Sequence, residues 1–205
     1  MQTRRLGRPR ADAARDLRAD LLRIGRELLM EGGVAALRMR EVARRAGCTH
    51  QAPYHYFADR ETLLAALVAT AFDDLARRLR ACNDAAPTLG VRATLLASGR
   101  AYVDFALSQP GVFRLMFRAD ACDPQRFTEV RDAGGRAFAE LRRLATIVHG
   151  PAAAATDATI LWAHVHGLAF LLIDGPLARQ FETDALRQAH IDAVAAQFAD
   201  CILPG

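Results

Sequence analysis

A short stretch near the N-terminus concentrates side chains that could bind a polyanion. Between positions 49 and 60 it contains two histidines, two tyrosines, a threonine, a glutamine and an arginine. Hydroxyl, imidazole, amide and guanidinium groups donate hydrogen bonds to phosphate oxygens and read the edges of bases. The stretch is therefore a candidate surface for contact with nucleic acid.

The elements that must position these groups form a helix-turn-helix pattern. Hydrophobic spacing predicts one short helix over about residues 39–46 and a second over about residues 50–56. Gly47 lies in the turn, where glycine adopts a left-handed backbone at little cost. Thr49 is expected to cap the second helix, because its hydroxyl can accept a hydrogen bond from an unpaired first-turn N–H group.

The same pattern supplies a small core and a connection to the rest of the chain. Ala43 and Ala46 are small where the two helices cross, and Val42 and Phe57 can fill the space between them. Asp59 is expected to cap a much longer helix with an apolar stripe. That stripe consists of Leu64, Val68, Ala71, Leu75 and Leu79.

Charge is unevenly distributed along the 205 residues. Residues 1–60 hold 13 arginines against 7 acidic residues, a balance of +6, whereas the remainder carries −2. The N-terminal part, called the head below, is basic, and the remainder is slightly acidic. This distribution indicates that the head binds a polyanion. Arg8 and Arg10, on either side of Pro9, could enter a minor groove from a flexible arm over residues 1–13, or could belong to a solvated tail.

Two segments of the head resemble the TetR family of regulators. They are residues 39–49, MREVARRAGCT, and residues 52–64, APYHYFADRETLL. Further on, Trp162 with His166-Gly167, preceded by residues 109–117, QPGVFRLMF, resembles the WHG-type C-terminal domain of one TetR branch.

The resemblance implies a role for each matching position. Groove-facing and phosphate-contacting residues would be Arg40, Thr49, His50, Gln51, Ala52, Tyr54, His55, Tyr56 and Arg60. Two positions depart from the family pattern. Arg38 stands where a threonine usually caps the second helix, and Arg60 replaces a lysine, which keeps the charge but changes the donor geometry.

The expected fold is all-α with about nine helices. Residues 14–60 would form the three-helix DNA-binding domain and residues 61–205 a helical ligand-binding and dimerisation domain. The eighth helix, about residues 156–173, is apolar almost all round, and the ninth places Ile191, Val194, Phe198 and Cys201 on one stripe. These apolar surfaces need packing partners beyond the core of one subunit, so the last two helices are expected to form a homodimer interface.

A small-molecule pocket is the second expected site. Trp162 and His166 share a helix face, and His166 could offer one hydrogen-bonding group on an apolar wall. The other candidate wall residues are Tyr102, Phe105, Phe113, Met116, Phe117, Phe138 and Phe170. Spacing alone leaves open whether these side chains line a pocket or fill a core.

Several other classes of protein find little support. Phosphate-loop, GxSxG and HExxH motifs are absent, so neither an enzyme nor a cofactor is expected. His164 and His166 point to opposite sides of a helix and cannot share a metal ion. The four scattered cysteines suggest reduced thiols. The longest apolar run, residues 158–173, is short for a membrane span and contains both histidines, so a cytoplasmic protein is expected.

Together these features predict a dimeric transcriptional regulator, in the family's commoner mode a repressor. It would bind a palindromic operator and be released by a small apolar or amphipathic effector. One alternative is a constitutive DNA-binding protein whose C-terminal domain only dimerises. Another is an all-α small-molecule binding protein or enzyme whose head binds no DNA.

Overall fold

The computed structural model describes residues 16–118, 120–153 and 155–203. Over these ranges the chain is helical and no residue lies in a strand, as the sequence predicts. The α-helices are α1 (Leu17–Ala36), α2 (Met39–Arg45), α3 (Arg60–Asp84), α4 (Ala86–Leu89), α5 (Val91–Ser108), α6 (Pro110–Met116), α7 (Thr128–His149), α8 (Ala155–Ile173) and α9 (Asp184–Ile202). Two 3₁₀ helices, Ala52–His55 and Pro176–Arg179, complete the described elements.

The helix α1 begins at a capped end and is interrupted before it ends. The carboxylate of Asp16 accepts a hydrogen bond from the N–H of Ala19 at 3.1 Å, which satisfies one first-turn donor. Gly32 and Gly33 form a kink inside the helix. Gly33 has φ +60°, and the chain resumes helical geometry as far as Ala36.

The second helix of the predicted helix-turn-helix is shorter and tighter than expected. Only Ala52–His55 is helical, in 3₁₀ form, and the predicted side-chain cap from Thr49 is wrong. The backbone carbonyl of Thr49 instead accepts the N–H of Ala52 at 3.0 Å, so the turn already closes through the main chain. Pro53 contributes to the difference, because a proline disfavours α geometry in the residue before it.

The long helix α3 joins the head to the rest of the molecule. Asp59 caps it as predicted, with its carboxylate accepting the N–H of Thr62 at 2.7 Å and the hydroxyl of Thr62 at 2.9 Å. All members of the predicted stripe are buried: Leu64, Val68, Ala71, Leu75 and Leu79. Helix α7 packs along α3, while α5 and α6 cover its other sides.

One continuous core runs from the head into the C-terminal part. Its largest cluster contains residues of α1, α2, α3, α5, α6 and α7. Helix α6 lies directly on α1, and Gly111 permits this approach. A Cβ atom at that position would lie 2.5 Å from the carbonyl oxygen of Leu29. The head is therefore packed against α6 as well as carried by α3.

A buried polar cluster holds the C-terminal end of α3. The side-chain amide of Asn83 donates to the carboxylate of Glu140 at 3.1 Å and to its backbone carbonyl at 3.0 Å. The hydroxyl of Ser98 donates to Asn83 at 3.1 Å, and Arg80 donates to Glu140 at 2.9 Å. These bonds connect α3 to α5 and α7 within the core.

The last two helices leave different faces exposed from those predicted. On α9, Ile191 is buried in its own subunit, Val194 and Phe198 are half-buried there, and Cys201 is exposed, so the predicted interface stripe is covered only in part and the interface stays a prediction. The open apolar surface lies mainly on α8, where Ile160 and Phe170 are more than half exposed. The inward stripe on α9 is used to hold α8 and α5.

Helix α8 is close to the predicted helix over residues 156–173. It spans 19 residues, so by length and composition alone it could cross a membrane. Its inner face packs on α5 and α7, however, and both histidines lie within it. A single helix of this length and hydropathy is weak evidence for a membrane span.

Candidate functional site

The turn of the helix-turn-helix has the geometry that the sequence predicts. Gly47 adopts φ +62°, which only glycine reaches without strain. Val42, Ala43, Ala46 and Phe57 are all buried, with exposures of 2% or less. These four residues form the small core that holds α2 against the following 3₁₀ helix.

Most residues predicted to contact DNA lie on the surface of the head. Tyr54 and Tyr56 are 43% and 45% exposed. Ala52 is half-buried. The remaining exposed members are Arg40, Thr49, His50, Gln51, His55 and Arg60. Arg8 and Arg10 lie outside the described residues.

The arginines of α2 differ in whether they form ion pairs. Arg44 donates two hydrogen bonds to Glu41 at 2.7 and 2.8 Å, and Arg45 bridges Glu41 and Glu31. These contacts hold the pKa of Glu41 at about 2. Arg40 is exposed and forms no ion pair with any described residue. It is therefore free to meet an anion, whereas Arg45 ties α2 to α1.

Arg60 has a structural role that the sequence did not indicate. Its Nε donates to the carbonyl of Leu37 at 2.7 Å, and one terminal nitrogen donates to the carbonyl of Val34. Both acceptors belong to the end of α1, so the guanidinium fastens α3 to α1. A lysine ammonium could not form the same planar two-point contact, which gives the departure from the family pattern a physical reason.

A cavity of about 350 Å³ lies against the middle of α3. Four predicted wall residues line it: Tyr102, Phe117, Phe138 and Trp162. The walls that sequence reasoning missed are Phe72, Leu75, Gly134, Ala137 and Leu141. The pair Gly134-Gly135 inside a helix was the available signal, since glycine weakens a helix and is retained where space is needed.

The other predicted wall residues lie elsewhere. Phe113, His166 and Phe170, together with Phe117, line a second groove of about 390 Å³ between α6 and α8. Phe105 and Met116 line neither space and are buried in the core. The ring of Phe117 separates the cavity from the groove. Its centroid lies 5.9 Å from that of Trp162 and 4.5 Å from that of His166.

A chain of hydrogen bonds closes the polar edge of the cavity. The indole N–H of Trp162 donates to the hydroxyl oxygen of Tyr102 at 3.1 Å, and that oxygen lies 3.0 Å from Nδ1 of His166. An indole nitrogen can only donate, so the Tyr102 hydroxyl oxygen accepts from Trp162 and is also paired with Nδ1 of His166. Burial lowers the pKa of His166 and so favours the neutral imidazole. His164 faces away and stacks on Phe198 at 3.7 Å.

Comparison with known proteins matches both halves of the chain. Residues 21–67 match the profile described as bacterial regulatory proteins, tetR family. Residues 95–194 match the profile described as tetracyclin repressor-like, C-terminal domain. The relation to the WHG-type branch in particular stays a prediction.

Individual proteins agree with these profiles. The HTH-type transcriptional regulator Rv1816 of Mycobacterium tuberculosis is 31% identical over 116 residues, which are 57% of this chain and 49% of that protein. The match thus spans about half the length of this curated relative. Identical figures hold for its Mycobacterium bovis counterpart Mb1846.

Solved structures extend the agreement over nearly the whole chain. A protein of unknown function from Rhodococcus sp. RHA1 shares 28% identity and a TM-score of 0.74, covering 96% of this chain and 97% of that one. A TetR/AcrR-family regulator from Thermobifida fusca shares the fold at 21% identity and a TM-score of 0.66, covering 88% and 97%. The helix-turn-helix geometry and the two profile matches show that the chain belongs to the TetR family of transcriptional regulators.

Proposed function

We propose that the protein is a dimeric repressor that binds a palindromic operator and is released by a small-molecule effector. One observation carries the effector half of this proposal. Helix α3 bears the head at its N-terminal end, and Phe72 and Leu75 in its middle form a wall of the 350 Å³ cavity. An occupant of the cavity therefore presses on the helix that carries the head.

The proposed release has a defined mechanical route. Phe117 ends α6 and forms a wall of the cavity, while Gly111 near the start of α6 lies against the backbone of α1. Movement of α3 and α6 would tilt the head. In the dimer, this tilt would change the distance between the DNA-binding surfaces of the two heads. A nearly complete switch requires the effector to bind the released state about 10⁴-fold more tightly.

The proposed DNA contact depends on the exposed face of the head. Tyr54, Tyr56 and Arg40 would donate to phosphates or base edges, with His50 and His55 beside them. The domain limits, a basic arm over 1–13, a head over 14–60 and a body over 61–205, belong to this proposal. Such a regulator works in the cytoplasm, where its operator lies.

Replacing Arg40 with alanine is expected to weaken operator binding about tenfold. The guanidinium is exposed and unpaired among the described residues, so its removal takes away a contact without breaking an internal bond. If Arg40 meets a phosphate, the slope of log K against log salt should fall by about 0.9. Fluorescence anisotropy with the chain's own upstream DNA, over a series of salt concentrations, measures both quantities.

The matched control is Arg142→Ala, which removes the same charge at the opposite end of the molecule. Arg142 is an exposed residue of α7, two positions after Glu140, which contacts the far end of α3. This control should bind DNA like the wild type. Equal losses in both variants would mean that net charge, rather than the head, determines binding.

Replacing Ile160 with aspartate is expected to break the proposed dimer. Ile160 is 55% exposed on α8, on the same surface as Ala163 and Gly167, where small residues permit close helix packing. A carboxylate facing its own copy across this surface should weaken association by about 100-fold, since opposed like charges cost several kcal/mol. Analytical ultracentrifugation over a range of concentrations checks the result.

Leu89→Asp provides a matched control for this experiment. Leu89 is 49% exposed, but it lies on α4, outside the two helices of the proposed interface. The control should retain the wild-type oligomeric state. A monomeric Leu89→Asp variant alongside a dimeric Ile160→Asp variant would place the interface elsewhere.

A further inference from the structure

We infer that the effector is a neutral, compact, mainly aromatic molecule of two or three rings that carries no ionised group. This inference rests on the proposed effector control and specifies the chemical class that the cavity takes.

The walls present rings and aliphatic carbon to the cavity. No polar wall atom is exposed inside it. Phe72, Phe117, Phe138 and Trp162 surround the space, with neighbouring ring centroids 5.6 to 6.0 Å apart in edge-on or tilted arrangements. Rings placed in this way can receive a further ring in an edge-on or offset geometry. The shape and chemistry of the walls therefore favour an aromatic occupant.

The polar atoms next to the cavity are already engaged with one another. The single N–H of Trp162 is used by Tyr102, and the hydroxyl of Tyr102 is paired with His166. No polar atom of the walls is exposed in the cavity, so no wall donor meets an anionic group there. An ionised ligand would lose its hydration on entry without gaining compensating hydrogen bonds, which is strongly unfavourable.

The charges beside the neighbouring groove do not correct this deficit. Arg114 and Arg118 border the groove on the other side of the Phe117 ring. Arg114 binds Asp174 through three hydrogen bonds of 2.7 to 2.9 Å, and Arg118 binds Asp120. Both guanidiniums are thus neutralised outside the cavity and offer no free counter-charge to an occupant within it.

The volume limits the size of the molecule. An engineered apolar cavity of about 150 Å³ holds benzene. A space of about 350 Å³ therefore accommodates two or three rings. This volume lies at the lower end of the range for small-molecule sites.

Two fluorescent probes with the same aromatic skeleton test the inference. N-phenyl-1-naphthylamine is neutral, and 8-anilinonaphthalene-1-sulfonate adds one sulfonate to the same rings. Trp162 is the only tryptophan of the chain and forms part of the wall, so quenching of its emission reports on occupancy of the cavity. We expect the neutral probe to bind at least about tenfold more tightly than the anion.

Two neighbouring glycines provide a blocking variant and its control. A Cβ atom on Gly134 would have the ring of Phe72 as its nearest neighbour at 3.9 Å, so Gly134→Leu fills the cavity. A Cβ atom on Gly135 would meet no atom within 4 Å, so Gly135→Leu points into open space. Both changes raise helix propensity, so loss of folding is not expected to obscure the result.

We expect the neutral probe to bind tightly to the wild type and to Gly135→Leu, as shown by quenching of Trp162 emission at low probe concentration. Its affinity for Gly134→Leu should be at least about tenfold lower. Equal affinity for the sulfonate, or undiminished binding by Gly134→Leu, would overturn the inference. Release of operator DNA is measured separately in the same samples. Probe binding without release would refute the proposed effector control while the chemical class of the ligand stands.

Discussion

Replacing Gly111 with alanine should lower the free energy of unfolding by about 2 kcal/mol, although the same change usually stabilises a helix. The added Cβ atom would lie 2.5 Å from the carbonyl oxygen of Leu29 and 2.9 Å from its carbonyl carbon. Both atoms belong to the backbone of α1, which cannot yield by changing a rotamer. Helix α6 must therefore move away from α1, at the expense of the packing between them.

Gly135→Ala is the matched control, because it places the same methyl group on an open position of α7. It should raise the free energy of unfolding by about 0.5 to 1 kcal/mol. Urea denaturation followed by circular dichroism measures both changes, provided that the transitions are two-state. A stabilised Gly111→Ala variant would show that α6 does not rest on the backbone of α1.

The same variant tests the proposed route of release. If α6 transmits the effect of a bound effector from the cavity to α1, displacing α6 should reduce the change in operator affinity that the effector produces. Gly135→Ala should leave that change intact. An unaltered response in Gly111→Ala would assign the coupling to α3 alone.

Replacing Asn83 with aspartate should destabilise the protein by about 3 kcal/mol at neutral pH, because it buries an additional negative charge. The amide nitrogen of Asn83 now lies 3.1 Å from the carboxylate of Glu140 and 3.0 Å from the Glu140 carbonyl oxygen. A carboxylate at position 83 would oppose both oxygens in a site that is 1% exposed. Arg80 would offset only part of this repulsion from its more exposed position.

The pH dependence of this variant has a definite sign. Repulsion and burial raise the pKa of the introduced carboxyl above its unfolded value of about 3.9. Between these two values the folded state binds more protons than the unfolded state, so stability falls as the pH rises. The deficit should therefore be largest near pH 7 and shrink as the pH is lowered toward the unfolded value.

Asn83→Leu separates charge from the loss of hydrogen bonds. It removes the bonds to Glu140 and Ser98 without adding a titrating group. Its deficit relative to the wild type should stay constant between pH 5 and pH 7, measured by urea denaturation. A deficit for Asn83→Asp that is equally independent of pH would mean that the new carboxyl reaches solvent.

Local signals in the sequence determined the family, the helical fold and the surface of the head. Gly47 adopts a left-handed backbone, and Asp59 caps the helix that follows it. Val42 and Phe57 are apolar and are buried in the core of the head. Each of these properties depends on residues within a few positions along the chain. Periodicity and capping report such relations directly.

Tertiary structure decided which surfaces are occupied and which are open. Arg60 looked like a phosphate contact, but it reaches the carbonyl groups of Val34 and Leu37, more than 20 positions away. The stripe on α9 looked like a dimer interface, yet Ile191 is buried within its own subunit. An amphipathic face shows that a partner exists without identifying it, because any apolar surface buries equally well.

The cavity illustrates the same limit. Phe105 and Phe117 are both aromatic residues on helical faces, but the first is fully buried in the core and the second forms a wall. Their difference depends on how α3, α5, α6, α7 and α8 fit together and on the missing side chain at Gly134. Composition and spacing determined that aromatic rings would meet in the C-terminal part. Only the packing of five helices decided where space remained between them, because voids depend on the shapes of residues that are distant in sequence.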